Sequence, residues 1–310
     1  MKLTVQIPAW NEAESLPGVL RELPRTFEGF DSIEVLVIDD GSSDATAQVA
    51  RAGGAAVVRL PVHSGLARAF TVGIEAALRG GADVIVNTDA DGQYEPAAIK
   101  ELVAPILAGD ADIVLGDRGV AKLAHFSPVK RWLQRLGAWV VRVLSGVPLA
   151  DATTGFRAFS RAAAARLHCV TTFTYTLETL IQAGQTGLTV RSIPVVTRPV
   201  SRPSRLFRSN LAYVLISLAT LLRLVFIYRP LRILLSLGAL CWLAALGIAS
   251  RFVYFYLTGI SPAGHMQSLL AAAVLAITGV QLSVLGVLAD LTAVNRRLLD
   301  DLRATGRERK

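Results

Sequence analysis

Short apolar runs that each stop at an acidic or polar cluster constrain this chain more than any other feature. Ile33 to Ile38 reads IEVLVI, nearly continuous in apolar residues, as a parallel strand buried on both faces requires. It stops at Asp39-Asp40-Gly41-Ser42-Ser43-Asp44, a loop and helix-cap signal. Leu3 to Pro8 reads as a strand before it, with a helix expected from Asn11 onward through a polar turn. Ala55 to Leu60 reads as a further strand, and Leu66 to Arg79 as a helix ended by Gly80-Gly81. Val84 to Val86 is the next apolar strand and ends at Asn87-Thr88-Asp89-Ala90-Asp91. Strands alternating with helices predict an α/β domain with a mostly parallel, Rossmann-like sheet. Ligands in such folds bind at the carboxyl ends of the strands. Two of those ends carry carboxylates, which makes them the expected site.

The last third of the chain reads differently. Of the 310 residues 52% are hydrophobic, a share raised by this C-terminal part. Leu231 to Ser250 and Gln267 to Ala289 are uncharged and meet the roughly 20-residue length of a membrane-crossing helix. Leu211 to Tyr228 carries polar residues at Asn210, Tyr213, Ser217, Thr220 and Arg223, spacings that predict a helix lying in the interface. The expected organisation is a catalytic-type domain over 1–205, an interfacial amphipathic helix over 206–229, a two-helix transmembrane hairpin over 230–290 and a basic tail over 291–310. Arg251 at the outer end of the first span is expected to snorkel. The connector Thr258 to Met266 lacks Lys and Arg, whereas Arg229, Arg232, Arg296, Arg297 and Arg303 flank the pair. By the positive-inside rule both ends, and the N-terminal domain, face the cytoplasm of a multi-pass cell (inner) membrane protein. No signal peptide is expected from the first residues.

The net charge of +8 is unevenly placed, since no acidic residue occurs between Thr179 and Ala289. Arginines before the spans favour an anionic leaflet by about 1 kcal/mol each, which makes lipid or phosphate a better partner than nucleic acid. Cys169 and Cys241 are two incidental thiols without metal-ligand spacing.

Asp89 and Asp91, with the nearby amide of Gln93, suit a hard divalent cation that also grips a diphosphate. The same residues suit an Asx-rich turn capping the helix after Pro96, and by themselves the two readings stand level. Asp39 and Asp40 fit either a base-and-ribose contact or a loop and cap. Trp10 fits either stacking or packing, and Glu12 and Glu14 fit acids at a helix N-terminus.

Taken jointly, IPAWNEAESL, VIDDGSSDAT, NTDADGQYEP, GDRG, DATTGFRAFSR and the basic SRPSRLF loop resemble the inverting family-two glycosyltransferases of GT-A fold. More narrowly, the chain resembles the polyprenyl-phosphate glycosyltransferases, such as dolichyl-phosphate mannose synthase and its bacterial undecaprenyl-phosphate relatives. The resemblance implies a nucleotide-sugar pocket of Pro8, Ala9, Trp10, Asn11, Glu12, Asp39, Asp40, Asp89, Ala90 and Arg205. It implies Mg²⁺ or Mn²⁺ on Asp89, Asp91 and Gln93, and an acceptor phosphate near Arg118, Arg131 and Arg202. The implied partners are a UDP- or GDP-linked sugar, a polyprenyl phosphate and a membrane, and a homo-oligomer is compatible with the sequence. Where the family shows Asn-x-Gly-Lys-Gly this chain has His63-Ser64-Gly65-Leu66-Ala67, so a phosphate contact there falls to Arg68 or is lost.

Asp151 fits two roles. A phosphate acceptor is already ionised near pH 7, because its second pKa is about 6, so it needs positioning more than a base. Asp151 is therefore expected to orient Arg118 or Arg157 or to fix the metal site, with a base role second. Glu178 is expected in a helix. Processive polysaccharide synthases are a competing family, but they carry Gln-x-x-Arg-Trp where this chain has Pro128 before Arg131-Trp132, and they have more spans. A catalytically silent binder of nucleotide sugar or lipid is the non-enzyme alternative. A nucleotidyltransferase is disfavoured because no glycine-rich phosphate loop follows the first strand.

Overall fold

The computed structural model describes residues 1–119, 128–147, 152–167, 169, 175–198, 210–258 and 266–308. It forms two compact units, Met1–Leu221 with Asp300–Lys310, and Leu222–Leu299.

The first unit is built on a seven-stranded sheet. Four strands run parallel: β1 (Lys2–Ala9), β2 (Ser32–Asp39), β3 (Ala56–Arg59) and β4 (Val84–Asn87). Beyond β4 lie β5 (Ile113–Asp117), β6 (Arg157–Ser160) and β7 (Val190–Pro194), and the order across the sheet is β3-β2-β1-β4-β6-β5-β7. β6 is antiparallel to both its neighbours, whereas β5 and β7 pair parallel. The expected mostly parallel α/β sheet is therefore present, with one reversed strand at its centre.

The helices follow the strands as the periodicity requires. They are α1 (Leu16–Glu22), α2 (Thr46–Ala52), α3 (Leu66–Arg79), α4 (Ile99–Leu107), α5 (Pro128–Ser145), α6 (Arg161–Arg166) and α7 (Tyr175–Gln185). α3 buries Phe70, Ile74 and Ala77 against the sheet. A Cβ at Gly73 would meet Gln6 Oε1 at 2.5 Å and Ile38 Cδ1 at 2.7 Å, so only glycine lets α3 approach that closely. β1, β4 and the middle of β5 are buried on both faces, as strands covered by helices on two sides must be. Glu178 lies in α7, as expected, and is fully buried.

One boundary differs from expectation. The helix expected from Asn11 begins only at Leu16, with Pro17 in its first turn. Residues 11–15 form a turn because Asn11 takes φ 55° and its backbone N–H turns to Ser42 Oγ. Glu12 and Glu14 thus precede the helix rather than cap its first turn.

α8 (Asn210–Tyr228) confirms a helix before the spans. Within it Thr220, Leu224 and Tyr228 are buried while Leu222, Arg223 and Phe226 are exposed, so Thr220 does not belong to an exposed polar stripe.

The second unit is formed chiefly by α9 (Pro230–Leu257) and α10 (Met266–Glu308). α9 and the Met266–Arg296 part of α10 are long and apolar enough to cross a membrane. Only 11% and 17% of their most apolar windows are buried, unlike the core helices of a soluble domain. They pack through small residues. A Cβ at Gly238 would sit 3.0 Å from Gly279 O, and one at Gly279 only 2.6 Å from Trp242 Cδ1. Such close backbone approach is how apolar helices associate without a hydrophobic driving force. α9 runs past the expected end at Ser250, so Arg251 lies within it, its guanidinium 5.6 Å from the Phe255 ring centroid. α10 spans 43 residues, roughly 65 Å at 1.5 Å per residue, so the expected tail is helical through Glu308.

Candidate active site

The loops after β1 and β2 are stitched together by side chains. Asn11 Oδ1 accepts from Ser43 N at 2.9 Å, Asn11 N donates to Ser42 Oγ and Glu12 N donates to Thr46 Oγ1. Pro8 and Ala9 are buried in β1, and Ala9 pairs with Asp39 across the ladder. Trp10, 39% exposed, stacks on His63 with ring centroids 4.1 Å apart.

The two β2-end carboxylates differ sharply. Asp40 is fully engaged: it accepts from Ser64 N and Gly65 N, and its Oδ2 lies 2.9 Å from His63 Nδ1. It therefore shapes the 63–65 loop, and its use as a direct donor contact is limited by those bonds. Asp39 accepts from Ser42 N through Oδ1 alone. Its Oδ2, buried, lies 3.2 Å from Arg59 Nε and accepts no hydrogen bond among the described residues. The Arg59 charge compensates this oxygen without a well-aligned hydrogen bond, which leaves it acceptor capacity for an incoming N–H.

Asp89 and Asp91 follow β4 directly. Removal from water, and then the like charge of Asp91, raise the Asp89 pKa from 3.8 to about 7, against the lowering influence of Arg118 and Arg157. Asp91 Oδ1 accepts from Gln93 N at 3.0 Å. A cleft of about 170 Å³ opens beside the pair, between Gly18 and Val19 of α1 and Tyr94. At its rim Arg198 contacts Glu22 at 2.7 Å and Glu95 at 3.8 Å. Among the described residues no third carboxylate, histidine or cysteine joins the pair in a metal-binding group. Two crowded carboxylates, one holding a proton near neutrality, fit a hard divalent cation that takes its remaining ligands from diphosphate and water.

β6 brings the DATTGFR segment against this pair. Asn87 pairs with Arg157 in the β4–β6 ladder, which sets Gly155 directly over Asp89. A Cβ at Gly155 would lie 2.7 Å from Asp89 Oδ1, so any larger residue would displace the carboxylate. The Gly155 carbonyl is fixed from below by Asn87 Nδ2 at 2.7 Å and Tyr175 OH at 3.3 Å. Asn87 Oδ1 in turn accepts from Gln6 Nε2.

Arg118, following β5, donates to Thr153 Oγ1 at 2.9 Å. Arg157, fully buried, donates to the carbonyls of Ala152, Thr154 and Thr176 and to Thr179 Oγ1. Both arginines are thus tied to the 152–154 segment. Thr153, Gly155, Asn87 and Tyr175 were not singled out in the sequence, although the glycine of DATTGFR was a usable signal. Arg131 lies in α5, but its side chain is outside the described residues, as are Asp151, Arg202 and Arg205 altogether.

The sheet and its acidic strand ends define a GT-A-type nucleotide-sugar transferase fold. Glucosyl-3-phosphoglycerate synthase from Mycobacterium tuberculosis, solved with Mn²⁺, uridine diphosphate and glucosyl-3-phosphoglycerate, shares it. The TM-score is 0.55 at 24% identity, over 71% of this chain and 79% of that one. The glycosyl transferase family 2 model matches residues 4–167, and the chain belongs to that family. An uncharacterised protein of Methanocaldococcus jannaschii is 31% identical over 202 residues, covering 63% of this chain and 81% of its own length. The undecaprenyl-phosphate mannosyltransferase of Micrococcus luteus is 32% identical over 51% of this chain, which spans 66% of that relative's length.

Proposed function

We propose that the protein transfers a sugar, with inversion, from a UDP- or GDP-linked donor to a polyprenyl phosphate at the cytoplasmic leaflet. The observation that carries this is the Asp89–Asp91 pair set beside Arg118, in a family 2 domain whose chain continues into two exposed apolar helices. The relatedness to an undecaprenyl-phosphate mannosyltransferase supports a lipid phosphate as acceptor.

Asp39 Oδ2 accepts an N–H of the donor base, and Trp10 offers a ring face beside it. Asp89 and Asp91, with Gln93, would hold Mg²⁺ or Mn²⁺, which supplies charge neutralisation for the departing diphosphate. Arg118, Arg131 and Arg202 orient the acceptor phosphate, and Arg205 contacts the donor phosphates. A phosphate oxygen then bonds to the anomeric carbon as the carbon–oxygen bond to the nucleoside diphosphate breaks on the opposite face. The acceptor carries no proton that must leave, so Asp151 is assigned to orientation rather than to base catalysis.

Membranes containing the full chain, incubated with undecaprenyl phosphate and a panel of radiolabelled nucleotide sugars, test this. Label from one donor is expected in the organic-extractable lipid and should disappear on chelation. Label that stays water-soluble for every donor contradicts the proposal.

A further inference from the structure

β4 reads VIVN, apolar in its first three residues and polar in its last. Asn87 is fully buried, as are its partners Gln6 and Tyr175. An amide so placed is costly unless its groups are paired, and here both ends are. Oδ1 accepts from Gln6 Nε2 at 2.8 Å, and Nδ2 donates to Gly155 O at 2.7 Å and to Tyr175 OH at 2.9 Å. Gln6 Oε1 is left without a partner among the described residues while Nε2 holds Asn87. Tyr175 OH donates in turn to Gly155 O at 3.3 Å. Its ring is stacked on Phe70, with centroids 3.9 Å apart and planes 6° from parallel. The bonds converge on the carbonyl of Gly155, the residue on which a Cβ would crowd Asp89.

We propose that Asn87 and Tyr175 are positioning residues of the metal site, holding Gly155 against Asp89 so that the carboxylate keeps one direction toward the cation. Neither is a ligand; each acts through the Gly155 peptide. A paired, buried network fixes one arrangement, and a ligand group must be held to within about 0.5 Å to serve. Tyr175 opens α7, and Thr176 O and Thr179 Oγ1 in the same turn hold Arg157. Arg157 in turn holds the carbonyls of Ala152 and Thr154, on either side of Thr153, the partner of Arg118. One helix start thus supports both the Arg118 side of the site and the backbone that bears on Asp89. The inference rests on the metal reading proposed above and extends it to residues of the core.

The test titrates manganese chloride into the full chain in detergent micelles, well below each variant's melting temperature, and reads free Mn²⁺ by electron paramagnetic resonance. Tyr175→Phe keeps the ring on Phe70 and removes only the hydroxyl, so the fold survives. Its Mn²⁺ dissociation constant is expected to rise about threefold to tenfold, as for one lost buried hydrogen bond. Asn87→Val removes both Asn87 donor bonds and should weaken binding further. In a Gly155→Ala background Tyr175→Phe should add little, because both changes act at one contact. A lower melting temperature with unchanged Mn²⁺ affinity in Tyr175→Phe makes the network merely structural and overturns the proposal. Full additivity with Gly155→Ala overturns the route through Gly155, and a wild type that takes up no Mn²⁺ overturns the proposal with its metal. Mn²⁺ binding that weakens in Tyr175→Phe, from a wild type that forms no lipid-linked sugar, leaves the positioning standing and refutes the transfer reaction instead.

Discussion

The two sides of the sheet hold their polar residues by different means. On the β1–β2–β4 side the loops follow parallel strands and are bound to each other by short bridges, as between Asn11 and Ser42–Ser43 or Asp40 and Ser64–Gly65. On the β5–β6–β7 side, Arg118 and Arg157 depend on one irregular segment, 152–154, delivered by an antiparallel strand from far along the chain. The first side is preformed by side-chain bridges between neighbouring loops and the second by the antiparallel pairing of β6. The contrast matches the proposed division of labour, with donor on the first side and acceptor on the second. Asp89, under Gly155, is where the two meet.

The largest effect is expected at that meeting point. Asp91→Ala should lower transfer by about a thousandfold or more, since a metal on a leaving diphosphate supplies several kcal/mol. Radiolabelled transfer at saturating donor measures it, and a loss under tenfold would remove the pair from the metal site. Gly155→Ala should follow, at about tenfold to a hundredfold. Its Cβ pushes on Asp89 while leaving both carboxylates in the sequence, so metal affinity should weaken with it. Unchanged metal titration would show that the two sides are not joined there. Asp151→Asn should cost little, because an orienting carboxylate retains its hydrogen-bonding shape as an amide; near-normal turnover excludes the base role.

The smallest effect is one of pH, and its sign follows from Asp89. Its folded pKa, raised from 3.8 to about 7, lies above that of the unfolded chain. The contribution of this proton to metal-free stability is fully present below pH 4 and is lost as pH rises through 7. Asp89→Asn escapes that loss, so it should melt a few degrees above wild type at pH 8 without metal. In the wild type, metal affinity should fall as pH drops below 7, because the proton competes for the carboxylate. Calorimetry at pH 6 and 8 checks both, and an Asp89→Asn variant that melts lower at pH 8 would contradict the assigned pKa.

Legibility in the sequence followed the same division. β1, β2 and β4, α3 and the acidic strand ends were readable because apolar runs and their polar stops are local signals. Asp39, Trp10 and the Asp89–Asp91 pair stood out as candidates in that pattern, and the resemblance to the family assigned them to donor and metal. β6 was not readable, since RAFS is four residues long and gains its identity only from pairing on both sides. Thr153 as the partner of Arg118, and the enclosure of Arg157 by backbone carbonyls, come from that pairing and have no signal in spacing. The exposed face of α5, with Trp132 and Trp139, is decided by which side of the helix packs on α7, a long-range contact that its spacing does not show.

The most direct test of the division between donor and acceptor sides is steady-state transfer by Arg118→Ala, varying nucleotide sugar and polyprenyl phosphate in turn. A lost contact to a charged group costs about 1.5–3 kcal/mol, so the acceptor KM should rise about tenfold to a hundredfold. The donor KM should stay where it is. Equal loss toward both substrates would contradict the division.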